Sequence, residues 1–118
     1  MLKKQLNFWR KINNMAEREH LPIGTVVRVN GGNQNLMICS LFPITEKNGK
    51  QGYFDFGGVP LPLGVVSQDM AFFNKEDIDE ILFLGYVDAS FQQLTANYDE
   101  LISKIDFPKF TVKEYNVD

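Results

Sequence analysis

The chain reads as short apolar runs separated by turn-forming residues, with a helical pattern towards each end. Over residues 2–19, Leu2, Leu6, Trp9 and Ala16 recur at helical spacing, and Phe8, Ile12 and Met15 widen the stripe. This periodicity predicts an N-terminal helix. Leu21-Pro22-Ile23-Gly24 stops it, because proline biases the preceding residue away from helical backbone. Residues 25–29 (TVVRV) are β-branched and predict a strand. Asn30-Gly31-Gly32-Asn33 supplies a turn, and residues 36–44 a second strand whose far end Pro43 weakens. Asn48-Gly49 is a strong two-residue hairpin signal. A third strand over residues 51–56 sets Phe54 and Phe56 on one face and Tyr53 and Asp55 on the other. Together these predict a three-stranded antiparallel meander.

Residues 57–64 (GGVPLPLG) read as an apolar loop or edge segment, since Pro60 and Pro62 each lack a ladder donor. Residues 65–67 and 71–73 are short extended pieces. Asn74, with Asp77 three residues on, caps one tight helical turn over residues 75–78. Residues 81–84 are apolar on both faces, which predicts a strand covered on both sides. Over residues 88–105, Phe91, Leu94, Tyr98, Leu101, Ile102 and Ile105 form one stripe of a second helix, and Pro108 ends any extension. The tail alternates Phe110, Val112 and Tyr115, and reads as a late strand or a frayed end. The class is α+β: a small antiparallel β-sheet or partly open barrel of about five strands, with an N-terminal and a C-terminal helix. One domain over residues 1–118 divides into a helix (1–20), a β-rich body (21–87), a helix (88–106) and a tail (107–118).

Composition narrows the picture. A chain of 118 residues fits a single domain that buries roughly two-thirds of its unfolded surface. Its 44% hydrophobic content excludes disorder across the body. The net charge of −3 and the scattering of basic residues argue against nucleic acid as a partner. The one basic segment holds Lys3, Lys4, Arg10 and Lys11, but no apolar run of signal length follows it. No stretch approaches the roughly 18 apolar residues of a membrane span, and Cys39, as the single cysteine, excludes an internal disulfide framework. A cytoplasmic protein is the simplest expectation.

Candidate chemistry is sparse. Glu76, Asp77, Asp79 and Glu80 are the densest carboxylates, but a calcium loop needs alternating ligands and a central glycine, and Ile78 interrupts the run. Solvation of a turn is the favoured role. His20 and Cys39 make a conceivable nucleophilic pair, yet nothing around Cys39 marks a catalytic elbow. Gly31-Gly32 and Gly57-Gly58 do not lead into helices, so they are turn glycines and not phosphate cradles. No catalytic, cofactor-binding or metal-binding residue is assigned. Ten Phe and four Tyr are many for this length, and aromatics anchor interfaces as well as cores. Tyr53, Phe54, Phe56, Leu61, Leu63, Phe72 and Phe73 are therefore the candidate partner-binding set, because alternating strand faces cannot all point inward.

Certain motifs acquire meaning in combination. Leu21-Pro22-Ile23-Gly24-Thr25-Val26-Val27 precedes Asn30-Gly31-Gly32 and Leu36-Met37-Ile38, and later come Phe73-Asn74-Lys75-Glu76-Asp77-Ile78-Asp79-Glu80 and Phe83-Leu84-Gly85-Tyr86. In this order, across residues 21–94, the chain resembles the domain of unknown function 4176 family. In that family a Tyr-Pro-Glu-Gly-like turn sits where this chain has the more apolar Leu61-Pro62-Leu63-Gly64. The resemblance implies a cytoplasmic, non-enzymatic accessory protein of the type VIIb secretion system of Gram-positive bacteria. Such a protein binds an LXG-type toxin, with other small accessory proteins, and acts as a targeting chaperone. An immunity protein that binds the toxic domain is the alternative, and a small enzyme the third.

Overall fold

A computed structural model describes residues 20–116, and the helix predicted over residues 2–19 lies outside them. The described residues form seven strands: β1 (Val26–Val29), β2 (Leu36–Leu41), β3 (Ile44–Lys47), β4 (Lys50–Tyr53), β5 (Phe56–Pro60), β6 (Ala71–Phe73) and β7 (Ile78–Phe83). A 3-10 turn (Lys75–Asp77) precedes β7, and three short helices follow: α1 (Ala89–Ala96), α2 (Tyr98–Ser103) and α3 (Val112–Tyr115). Five strands make one antiparallel sheet in the order β6-β5-β2-β1-β7, and β3-β4 is a separate two-stranded ribbon. The sheet does not close into a barrel. The mixed α and β class and the five-stranded antiparallel sheet stand.

The meander is partly redrawn. The second strand ends at Leu41, because Phe42 turns into the left-handed region at φ 56°, which costs a bulky residue about 1–2 kcal/mol. The chain then restarts as β3. Asn48 and Gly49 take φ of 54° and 79°, and Lys47 pairs with Lys50 across them, which is the hairpin the sequence announces. The predicted strand 51–56 is really the end of β4 and the start of β5, with a corner at Phe54 and Asp55. Residues 57–64 are corrected most. Their first half belongs to β5, an interior strand paired with both β2 and β6. Pro60 is tolerated because it is the last residue of that strand. Gly57 is a strand glycine, since a Cβ there would lie 2.3 Å from Met70 Sδ. Residues 65–67 are not strand.

The core collects on one face of the sheet, where Leu21, Val27, Leu36, Ile38, Phe56, Phe73 and Ile81 are buried together. A second, aromatic cluster joins the ribbon to this body. Phe54 stacks on Phe72 with ring centroids 5.5 Å apart and meets Tyr115 edge-on at 5.3 Å. The helix predicted over residues 88–105 is broken at Asn97, whose φ of −105° and ψ of 19° leave helical space. Its N–H reaches back to the carbonyls of Gln93 and Leu94, closing α1 before α2 begins. The strand predicted at residues 81–84 is not covered on both faces, since Ile81 is buried but Phe83 is 62% exposed, and β7 lies at the edge of the sheet. The described part of the tail, residues 107–116, is neither a strand nor frayed. Lys109 makes a parallel bridge to Tyr53, and α3 follows.

Candidate functional site

The structure divides the seven aromatic and aliphatic candidates. Tyr53, Phe54, Phe56 and Phe73 are buried, while Leu61 and Phe72 are half-buried. Leu63 alone is largely exposed, at 75%. Strand alternation predicted that some would face out, but the corner at Asp55 and the returning tail cover both faces of this stretch. Phe56 packs on Phe73 at 5.6 Å in the main core. These four residues hold the fold and present no surface.

The acidic cluster is structural in detail. Asp77 Oδ2 accepts the Asn74 N–H at 2.8 Å, capping the 3-10 turn. Glu80 pairs with Arg28 at 2.7 Å, and Asp79 accepts the Gly31 N–H. Glu76 lies 3.6 Å from Lys109 Nζ. Burial raises the Asp77 carboxyl above its usual range, the Asn74 hydrogen bond opposes this, and the nearby Glu76 charge adds to it. Among the described residues no group of three His, Cys, Asp or Glu is placed to hold a metal. Cys39 is the extra residue where the β2–β5 register shifts. Burial pushes its thiol up, away from the activated thiolate of a nucleophile. The His20 ring meets Tyr98 edge-on at 4.6 Å.

Two polar residues, Asn74 and Asp55, have buried roles beyond the cap and the strand-face position that the sequence assigns them. Asn74 is fully buried, and its side chain accepts the Asp55 N–H at 2.9 Å and donates to the Phe110 carbonyl at 2.7 Å. Asp55 is also buried, and its Oδ2 meets Lys109 Nζ at 2.9 Å. The signal was present in Phe54-Asp55-Phe56, where a carboxylate sits between two core aromatics. Such a carboxylate needs a buried partner, but local sequence does not reveal that the partner is Lys109.

Some of what remains outside is apolar. Along β7 the first half carries the exposed acids Asp79 and Glu80, and the second half carries Phe83. Among the described residues no strand pairs with its outer side. Just beyond it, Gly85 packs so closely on residues 23–25 that a Cβ would lie 2.3 Å from the Ile23 carbonyl oxygen. Its N–H also donates to Thr25 Oγ1 at 3.0 Å. This contact brings Ile23, Tyr86 and Val87, all exposed, to the end of the strand that bears Phe83. A free strand edge ending in two exposed aromatics is a recognisable docking surface for an extended or apolar segment. Leu63, Val65 and Val66 form a second exposed apolar group on the β5–β6 connection.

The family model described as "Domain of unknown function (DUF4176)" matches residues 20–94. The chain belongs to the DUF4176 family. No curated protein and no solved structure matches it. The DUF4176 match spans the whole five-stranded sheet, the β3–β4 ribbon and most of α1. The β7 edge with Phe83 and Tyr86 therefore lies inside the DUF4176 region, and the segment carrying Lys109, Phe110 and Tyr115 lies outside it. Among the described residues of this DUF4176 protein, no helix is long and apolar enough to cross a membrane.

Proposed function

We propose that the protein is a non-enzymatic cytoplasmic accessory protein that binds an LXG-type toxin and targets it for export by the type VIIb secretion system of a Gram-positive bacterium. Membership of the DUF4176 family supports the reading through the resemblance set out above. The structural observation that carries it is the edge of β7, which no strand among the described residues pairs, with Phe83 62% and Tyr86 79% exposed. On this reading the edge offers main-chain hydrogen bonds to an extended stretch, or its aromatic end receives the apolar face of a helix. Exposed aromatics at the centre of a patch supply most of the affinity, while Asp79 and Glu80 at its rim set orientation.

The test is co-expression of the protein with the cognate toxin, whole and as separate halves. An accessory chaperone forms a complex with the N-terminal half that survives purification, and its deletion lowers toxin export. Binding confined to the C-terminal toxic domain makes the protein an immunity factor instead. If no complex forms and deletion leaves export unchanged, the proposal fails.

A further inference from the structure

The segment from Pro108 to Asn116 lies beyond the DUF4176 match, yet it fills a site built by matched residues. Its backbone runs parallel to the end of β4: the Tyr53 N–H donates to the Pro108 carbonyl at 2.9 Å, and the Phe110 N–H to the Tyr53 carbonyl at 2.8 Å. Its anchor is Phe110, which is buried. The ring occupies a slot over Gly52, where a Cβ would come within 2.6 Å of it. Phe54 closes one side at 5.8 Å, and Asn74 Nδ2 fixes the Phe110 carbonyl at 2.7 Å. Before the anchor, Lys109 reaches the buried Asp55. Main-chain pairing, one aromatic pocket and one charge-selective pocket are how peptide-recognition sites are made.

The charge pocket is incompletely filled. Asp55 Oδ2 takes the Lys109 ammonium and also accepts the Lys75 N–H at 3.1 Å. Asp55 Oδ1 is buried without a hydrogen-bond partner among the described residues. An ammonium is a compact charge, whereas a guanidinium presents two parallel N–H donors that match both oxygens of a carboxylate. A buried acceptor left unpaired is costly, so a ligand that satisfies it has an advantage over Lys109. We propose that the β4–β5 corner is a docking site for an extended peptide with a basic residue followed by an aromatic one, that Lys109-Phe110 occupies it in cis, and that an Arg-aromatic segment of a partner displaces that occupant. The proposal is independent of the toxin reading, which places its partner at β7.

The probe is a fluorescein-labelled peptide of residues 107–116 carrying Lys109→Arg, titrated by anisotropy into the full chain and into its Lys109→Ala/Phe110→Ala variant. Because the cis segment competes, the peptide binds the variant at least roughly tenfold more tightly than wild type. The unsubstituted peptide binds more weakly, and Asp55→Asn in the variant abolishes the preference for Arg. No binding to a variant that remains folded by circular dichroism, or equal binding to both chains, overturns the proposal. A second readout needs no substitution. By hydrogen exchange of the wild type, the Phe110 amide exchanges at least roughly tenfold faster than that of Ile38 in β2. Equal rates mean that the segment leaves only on global unfolding and overturn displacement. A wild-type dimer that the peptide dissociates assigns the occupant to a second copy, which overturns the assignment to a foreign partner.

Discussion

At the scale of single residues, Asn74 and Asp77 show how a short polar sequence spends its hydrogen bonds. The turn is capped by the Asp77 carboxylate on the Asn74 N–H, while the Asn74 side chain is committed to Asp55 and Phe110. Capping places Asp77 where burial raises its carboxyl, with Glu76 adding to the effect. A raised folded-state value means that the folded chain holds this proton more tightly than the unfolded chain does. Its contribution is therefore fully present below the unfolded-state value near 4, and is lost as pH rises through the folded-state value. Asp77→Asn keeps an acceptor for the Asn74 N–H without the charge. The stability of the variant relative to wild type should rise as the pH climbs from the unfolded-state value through the raised folded-state value, and then level off. Urea midpoints measured across that range check this, and a difference that does not vary with pH contradicts it.

Elements are held together by a few aromatics, and their exposure separates scaffold from surface. Phe54 is fully buried and touches Phe72, Phe110 and Tyr115, linking the β3–β4 ribbon to the sheet and the C-terminal segment. Phe54→Ala should cost about 3–5 kcal/mol by chemical denaturation, whereas Phe83→Ala on the free edge should stay within about 1 kcal/mol. Comparable losses at the two sites contradict the division of core from surface. Tyr115→Phe removes the contact with Thr45 Oγ1 at 3.1 Å and should cost about 0.5–1.5 kcal/mol. Local chemistry made several elements legible. Asn48-Gly49 dictated its hairpin through positive φ, Asn74 and Asp77 their turn, and Thr25 to Val29 a strand. The rest depends on contacts distant in sequence. Gly57 looked like a turn residue because Met70, which fills its missing side chain, is thirteen positions away. Pro60 seemed to bar a strand that it only terminates. The aromatic surface was misplaced in part, since Tyr53, Phe54, Phe56 and Phe73 alternate as a two-faced strand does, and nothing local announces that Phe110 returns to cover one face.

For the whole molecule, among the described residues the sheet leaves the outer edge of β7 unpaired, and the apolar half of that edge is the docking surface proposed above. β7 is guarded by Asp79 and Glu80 at its start and bears Phe83 at its end, with Tyr86 and Ile23 beside it. Charges on an edge suppress unselective pairing, so on the proposed reading the exposed aromatics that follow them are the part that receives the partner. Both aromatics are peripheral to the core, so Phe83→Glu/Tyr86→Glu should change stability by no more than about 1 kcal/mol. The decisive measurement is co-purification of the N-terminal half of the toxin with wild type and with this double variant, both verified as folded. The account predicts a stable complex with wild type and at least roughly a hundredfold weaker binding by the variant, as expected for two central aromatic anchors. Undiminished binding by the folded double variant contradicts it.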